Sequence, residues 1–262
     1  MPAPAPATVI ITGASGGLGA ALARHYAGSG FNIGLIARRT AGLEQLAREF
    51  PGNCTVHAAD VRDSAAMRRA TAEFVAQYGP PDIVIANAGI SIGTLTELPE
   101  DEQPFRDVFD INVIGMVNTF QPYIAAMRER GHGVLVGIAS VAGYRGLPGS
   151  GAYSASKAAA ISYLESLRVE LRGTGITVIT VCPGYIVTAM TAHNPYRMPF
   201  IMTAETAAAK IATIIARRKT YAVIPWQMAV VARLMHILPR FLYDPLAAKS
   251  GRKPRRTPIA RE

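Results

Sequence analysis

The sequence lacks any uninterrupted run of eighteen apolar residues, so we predict no membrane-spanning helix. Residues 1–7 alternate proline with alanine and carry no positive charge ahead of an apolar segment, which predicts a disordered lead rather than a signal peptide. Cysteine is scarce, since only Cys54 and Cys182 are present, far apart and outside any metal-ligand spacing. The sequence therefore predicts neither a disulfide framework nor a metal site, and it suits a reducing cytoplasm.

Acidic residues are also few, 18 Asp and Glu against 27 Lys and Arg, and the excess positive charge is uneven. Residues 249–262 hold six Lys or Arg and one Glu, with proline and glycine among them, which predicts a disordered basic tail. A solvated end is favoured, and contact with an anionic membrane surface or with nucleic acid is the alternative. No aromatic residue interleaves these charges, so we predict no nucleic-acid partner.

The remaining chain is long and apolar enough for one large α/β domain, which we place at residues 8–225. An apolar strand at residues 8–11 runs into the turn Thr12-Gly13-Ala14-Ser15-Gly16-Gly17-Leu18-Gly19 and then into a helical segment. Glycines at such a turn let the backbone approach a pyrophosphate, and the free N–H groups at the helix start favour negative charge. A tight turn alone would also need glycine, but the strand–turn–helix context favours a dinucleotide site.

The second predicted strand, residues 31–37, ends in Arg38 and Arg39, where a carboxylate would hold an adenosine ribose. Two guanidinium groups suit a 2′-phosphate instead, so we favour NADP(H) over NAD(H), the alternative being two solvated arginines. After the third strand, Asp60 is placed to accept the adenine amino group. Asp60 or Asp63 could equally cap the next helix, which begins near Ser64.

Tyr153 and Lys157 lie four residues apart, on one face of a predicted helix. A tyrosine that exchanges protons near neutrality needs a pKa roughly three units below its usual value of about 10, and a fixed neighbouring cation can lower it. Ser140 ends a buried strand and could bond the same substrate oxygen. Alone, a Tyr–Lys pair at this spacing is common by chance.

Other motifs follow predicted strands. Asn87-Ala88-Gly89 permits a sharp turn beside a ligand, and Pro183-Gly184, followed by Thr188, stops a strand where a nicotinamide would lie. Asn112 lies within a predicted long helix at residues 105–116, either exposed and incidental or placed to distort that helix and hold water.

Residues 185–202 form an irregular, methionine-rich loop, which we interpret as a substrate lid, and its lone His193 is not expected to be catalytic. Apolar residues then recur at helical spacing over a C-terminal helical extension, residues 226–248. This amphipathic stripe predicts packing on the core or on a subunit partner, with weak contact to a membrane surface as the less favoured alternative.

In order and spacing, these motifs resemble the short-chain dehydrogenase/reductase family in its shorter, single-domain branch. The resemblance spans residues 8 to about 225. It implies one doubly wound, Rossmann-type sheet of seven mostly parallel strands in the order 3-2-1-4-5-6-7, with helices on both faces in an α/β/α arrangement. Two positions depart from the commonest family pattern: Ala86 replaces a usual asparagine, and no basic residue precedes Gly17.

The resemblance also implies functional roles. Tyr153 exchanges the proton, Ser140 orients the substrate oxygen, Lys157 holds the nicotinamide ribose, and Asn112 anchors a water. The predicted cofactor site comprises Gly13, Ser15, Gly17, Leu18, Gly19, Arg38, Arg39, Asp60, Val61, Asn87, Ala88, Gly89, Tyr153, Lys157, Pro183, Gly184, Ile186 and Thr188.

The function expected from these residues is NADP(H)-dependent interconversion of a carbonyl and a secondary alcohol, mainly reduction of a hydrophobic ketone or aldehyde. A homodimer or homotetramer is implied, in the cytoplasm or peripheral to the inner face of a membrane. One alternative is a noncatalytic NAD(P)-binding sensor or scaffold, which would be expected to lack part of the Ser140, Tyr153 and Lys157 set. A second alternative is a sugar-nucleotide epimerase or dehydratase of the longer branch of the family, which shares the Tyr–Lys pair. That branch carries a larger C-terminal substrate domain, and only 105 residues follow Lys157 here.

Overall fold

The computed structural model describes residues 6–249 and 251–255. Seven strands form one sheet in the order β3-β2-β1-β4-β5-β6-β7, and all of its pairings are parallel. The strand order and the doubly wound architecture implied by the resemblance are confirmed. The strands are β1 (Thr8–Thr12), β2 (Asn32–Ala37), β3 (Cys54–Ala58), β4 (Ile83–Ala86), β5 (Gly133–Ile138), β6 (Ile176–Pro183) and β7 (Tyr221–Ile224).

Helices cover both faces of this sheet. Because side chains alternate along a strand, Val9 and Ile11 pack into one core with α1, α2 and α7, whereas Ile10 packs into the other with α3, α5 and α6. The helices are α1 (Gly17–Gly28), α2 (Thr40–Ala47), α3 (Ser64–Tyr78), α4 (Glu102–Phe109), α5 (Gly115–Arg130), α6 (Gly151–Glu170), α7 (Ala204–Ala216), α8 (Trp226–Ile237) and α9 (Arg240–Ala248).

The helix predicted around Asn112 is interrupted. Between α4 and α5 the chain forms a π-helical segment, Asp110–Ile114, with Asn112 buried at its centre. The interpretation of Asn112 as exposed and incidental is therefore wrong, and the predicted distortion of the helix is present. A π-helical turn widens the backbone hydrogen-bond ladder, and such turns are frequent at functional sites.

The predicted C-terminal stripe packs on the core of its own chain only in part. Trp226, Ile237 and Phe241 are more than two-thirds exposed, at 71%, 73% and 75%. Met228 and Ala232 are buried in a small core cluster, and Val231 of the stripe is partly buried against them. No helix within the described residues is both long and apolar enough to cross a membrane.

The prediction of a disordered tail from residue 249 is wrong for residues 251–255, which pack against the body of the protein. Arg255 Nε lies 2.7 Å from Asp101 Oδ2, and Arg255 forms an isolated parallel bridge with Gly93. Residues 250 and 256–262 of that predicted tail, and residues 1–5 of the predicted lead, lie outside the described residues.

Candidate active site

A cavity of about 620 Å³ opens at the carboxyl ends of the central strands. Every residue of the predicted cofactor site lines it except Gly19, and so do Ser140, Tyr153 and Lys157. Parallel strands all end at the same edge of the sheet, which is why motifs far apart in the sequence meet there. Asn112 is the one predicted catalytic residue that does not line this cavity.

The glycine-rich turn leaves the start of α1 open to the cavity. Gly13 has φ +67, and a Cβ built there would lie 2.8 Å from the Cα of Ala88. A Cβ on Gly19 would lie 2.3 Å from the carbonyl oxygen of Gly13, so Gly19 acts beneath the turn rather than on the cavity wall. Gly16 precedes α1 without capping it by a side chain, so the first N–H groups of the helix are free for an anion. These features fit the pyrophosphate of a dinucleotide.

Asn87 joins the end of β4 to this turn. Its Nδ2 donates to the carbonyl oxygens of Thr12 and Gly13, at 3.0 and 3.3 Å. The Thr12 hydroxyl in turn accepts from the backbone N–H groups of Asn87 and Ala88. Asn87 therefore fixes the shape of the turn through its own hydrogen bonds.

The end of the cavity where the sequence predicts the adenosine carries both charge signs. Arg38 and Arg39 are exposed there, and neither forms an ion pair with any described residue. Burial works to raise the pKa of the Asp60 carboxyl, but hydrogen bonds and charge from Arg62 lower it overall, with the two side chains 2.8 Å apart. Asp63 accepts from two backbone N–H groups of α3, so Asp63 is the helix cap, whereas Asp60, paired with Arg62, lines the cavity.

Ser140 and Tyr153 lie together at the centre of the cavity. Ser140 follows β5, and its Oγ accepts from the backbone N–H of Ala142 at 3.1 Å, which leaves its O–H available to donate. Tyr153 belongs to the first turn of α6. Burial raises the pKa of Tyr153, and a hydrogen bond with Ser140 opposes this without reversing it. The pair therefore presents a protonated phenol beside an orienting hydroxyl.

Lys157 is buried one helical turn after Tyr153. Its Nζ donates to the carbonyl oxygen of Ile138 at 2.8 Å and lies 5.8 Å from the centre of the Tyr153 ring. Burial lowers the pKa of Lys157 to about 8. We expected this cation to lower the pKa of Tyr153 below its usual value, but burial raises the pKa of Tyr153, and the influence that opposes burial is the hydrogen bond with Ser140.

Asn112 lies behind Gly89, where its amide is used within the protein. Its Oδ1 accepts from the backbone N–H of Ile90 at 2.8 Å, while Nδ2 donates to the Ile90 carbonyl and to Ser156 Oγ, both at 3.0 Å. These bonds tie the loop after β4 to the first turns of α6. In this geometry Asn112 positions the loop and helix that carry the cavity wall.

The predicted lid contributes some of its residues to the cavity. Met190, Asn194 and Tyr196 line it, whereas Met202 is buried in the core below. His193 is exposed and does not line the cavity, in agreement with its expected lack of a catalytic role.

Several lining residues lie outside the sequence prediction. Met228, Val231 and Met235 on α8 close the apolar side, and Lys253 reaches the cavity from the C-terminal segment. The helical period of residues 226–248 indicated an amphipathic helix but not which face meets the site. No local signal distinguishes Lys253 from the other basic residues after Ala248.

Comparisons with known proteins agree with this geometry. A family model described as short chain dehydrogenase matches residues 7–198. An oxidoreductase from Myxococcus xanthus is 38% identical over 245 residues, which cover 92% of this chain and 96% of the relative. The ketoacyl reductase HetN of Nostoc is 34% identical, covering 73% of this chain and 68% of that protein. A 3-ketoacyl-ACP reductase structure from Sinorhizobium meliloti has a TM-score of 0.73 at 27% identity, covering 82% of this chain and 97% of that one.

Proposed function

The chain belongs to the short-chain dehydrogenase family, and from that membership we propose that it reduces a hydrophobic ketone or aldehyde to the alcohol with NADPH. The single observation that carries this proposal is the meeting of Ser140, Tyr153 and Lys157 in one cavity with an open helix N-terminus. A noncatalytic sensor of the same fold would not need all three of these side chains.

In the proposed reaction the protein supplies orientation and the proton, while a bound nicotinamide supplies the hydride. The Ser140 hydroxyl donates to the substrate oxygen and holds it beside Tyr153. Tyr153 donates its proton to that oxygen, and burial favours the protonated phenol before the reaction. Lys157, held through the Ile138 carbonyl, would bind the ribose next to the nicotinamide.

A preference for NADP(H) over NAD(H) is supported by the adenosine end of the cavity. Arg38 and Arg39 line it without ion-pair partners among the described residues, so their guanidinium groups are free for a 2′-phosphate. The nearest acid on the wall, Asp60, is engaged by Arg62 and cannot neutralise them fully.

A hydrophobic substrate is supported by the wall opposite the cofactor side. Met190 and Tyr196 of the lid face the same cavity as Met228, Val231 and Met235 of α8. Flexible methionine side chains adapt to apolar ligands of different shapes. This wall favours substrates with an extended apolar part over small polar ones.

The test is the oxidation of NADPH by purified protein against ketones and aldehydes of increasing apolar size, with NADH in parallel. We expect faster turnover with NADPH and with the larger ketones. Tyr153→Phe should abolish turnover and leave NADPH binding within about twofold, since it removes only the proton donor. Retention of most of the rate by Tyr153→Phe would refute the assignment of the acid.

We also propose that the face formed by α8 and α9 contacts an anionic membrane surface. Its apolar residues Leu234, Ile237, Phe241 and Leu246 are exposed by 57–75%. Arg233 and Arg240 on the same two helices supply positive charge for anionic headgroups.

Assembly into a homodimer or homotetramer is proposed through a different face, the helices α4, α5 and α6. Ile114, between α4 and α5, is 48% exposed, and Val169 on α6 is 59% exposed. A contact between subunits at this face would remove the apolar surface of both side chains from water. Sedimentation velocity of the wild type and of Val169→Ser tests it, with a monomeric wild type as the contrary result.

A further inference from the structure

Residues 251–255 form a strap that packs against two loops beside the cavity, and Lys253 of this strap lines the cavity. The carbonyl oxygen of Pro254 accepts from the backbone N–H of Gly93 at 3.0 Å, in the loop that follows β4. The side chain of Arg252 lies against Gly149, where an added Cβ would approach it to 3.0 Å. The strap thus touches the loop after β4 and the loop between Ser140 and α6.

Arg255 anchors the end of the strap. Its guanidinium forms ion pairs with Asp101 and Glu100, with closest distances of 2.7 and 3.1 Å. Asp101 is 4% exposed and also accepts from the backbone N–H of Leu95, so its carboxylate is held from two sides. The Asp101 side chain is 5% exposed and that of Arg255 is 32% exposed, so this partly buried, hydrogen-bonded pair fixes the strap more firmly than two fully exposed charges would.

Lys253 carries its charge into the cavity from this anchored strap. Its Nζ donates to the carbonyl oxygen of Met190 and to Oδ1 of Asn194, both at 2.8 Å. An ammonium group has three donors, so one N–H is left for another acceptor. Among the described residues no Asp or Glu pairs with Lys253, in contrast to Arg255 on the same strap.

The substrate side of the cavity has no acidic residue to balance this charge. Asp60 is the one carboxylate among the described lining residues, and it lies at the adenosine end, beside Arg62. Burial lowers the pKa of Lys253, which is the direction expected for a cation without a counter-ion. An anion that entered the cavity would relieve this cost.

We propose that Lys253 binds an anionic group of the carbonyl substrate, a carboxylate, sulfonate or phosphate, while the apolar part of the substrate lies on Met228 and Met235. This inference rests on the proposed function, because it concerns the substrate of the same cavity. It makes the preferred substrate an amphipathic keto acid or its equivalent rather than a wholly apolar ketone. The strap supplies the charge, and α8 supplies the apolar surface.

The test compares binding of two ligands of equal apolar length, a medium-chain keto acid and the corresponding methyl ketone, by isothermal titration calorimetry. Lys253→Met keeps the length of the side chain and removes its charge. We expect it to weaken keto-acid binding about tenfold or more, the effect of losing a charged hydrogen bond, with methyl-ketone binding changed less than about twofold. Lys253→Arg should restore most of the difference. Lys249→Met is the matched control, because Lys249 is exposed and does not line the cavity.

An equal loss of affinity for both ligands would overturn the proposal, because Lys253 would then serve only to hold the strap against the lid through its hydrogen bonds to Met190 and Asn194. Unchanged binding of the keto acid to Lys253→Met would overturn it as well. The calorimetric result does not depend on turnover, so it holds whether or not the wild type oxidises NADPH with either ligand. Absence of turnover with selective, Lys253-dependent binding would count against the proposed reductase activity alone.

Discussion

Lys157 is a charged residue in a place that water barely reaches, since it is 5% exposed. Burial lowers its pKa from 10.5 to about 8, so the folded protein holds this proton less tightly than the unfolded chain does. Between pH 8 and pH 10.5 unfolding takes up a proton, and stability therefore rises with pH across this interval. At pH 7 the buried charge costs at most about 3 kcal/mol of folding free energy.

Lys157→Met should therefore stabilise the protein at pH 7 while abolishing reductase activity. The gain stays below the full cost, because methionine cannot donate to the Ile138 carbonyl. Thermal unfolding at pH 7 and near pH 10 measures it, and the advantage of the variant should shrink at the higher pH. Lys210→Met, at an exposed position on α7, should change neither midpoint. An equal gain at both pH values would contradict the buried-charge explanation.

The effect of Arg38 and Arg39 should fall on one cofactor only, the one that carries a 2′-phosphate. Replacing both by alanine should raise the KM for NADPH about 10- to 100-fold, the effect of removing charged hydrogen bonds to a phosphate. The KM for NADH should stay within about twofold. Arg48→Ala, an exposed change at the end of α2, is the control and should alter neither KM. Equal losses with both cofactors would argue against a 2′-phosphate contact.

The π-helical segment is short, but it links parts of the chain that are distant in sequence. Through Asn112 it connects three parts of the chain, namely the α4–α5 helical region, the loop after β4, and α6. Asn112→Ala would leave the N–H and the carbonyl of Ile90 without their side-chain partner. We expect a loss of roughly 2 kcal/mol or more in the free energy of unfolding.

Urea unfolding measures this loss, and Ser156→Ala is the matched comparison. That substitution removes the Ser156 partner of the amide but keeps both bonds to Ile90, so roughly 1 kcal/mol should be lost. A loss as large as that of Asn112→Ala would place the effect in α6 rather than in the loop.

The sequence predicted the regular elements well because their signals are local. Apolar runs at residues 8–11, 31–37 and 134–139 gave three of the parallel strands, and the glycine-rich turn gave the start of α1. The interruption at residues 110–114 could be suspected from Asn112, but an α-helical period cannot show where the hydrogen-bond ladder widens. Its partners, Ile90 and Ser156, are set by tertiary contact.

Composition was a poor guide to whether the C-terminal segment packs against the rest of the protein. Residues 249–262 are rich in charge, proline and glycine, a composition typical of disorder. The structure nevertheless holds residues 251–255 by means of Asp101, which lies more than 150 positions earlier, and by the close approach at Gly93. Such a contact depends on a buried carboxylate that no local pattern reveals.

The exposed face of α8 and α9 leads to a prediction for the whole protein. The double variant Phe241→Ser, Leu246→Ser should reduce co-sedimentation with phosphatidylserine vesicles severalfold. Each CH₂ that no longer inserts into the membrane removes about 0.8 kcal/mol of binding free energy. Val187→Ser, a change at an apolar position that is 56% exposed and lies on neither α8 nor α9, should co-sediment with the vesicles like the wild type. If wild type and double variant sediment alike while only the variant loses a dimer in sedimentation velocity, the face binds a second copy instead.

The path of the chain separates the choice of cofactor from the choice of substrate. Arg38, Arg39 and Asp60 lie in the first quarter of the sequence, whereas Met228, Met235 and Lys253 lie in its last part. A chimaera that takes residues 189–255 from a relative, with the lid residues Met190 and Tyr196 included, would therefore inherit a new substrate wall and keep the same nicotinamide chemistry. In this architecture selectivity for the carbonyl compound can be exchanged as a single continuous stretch.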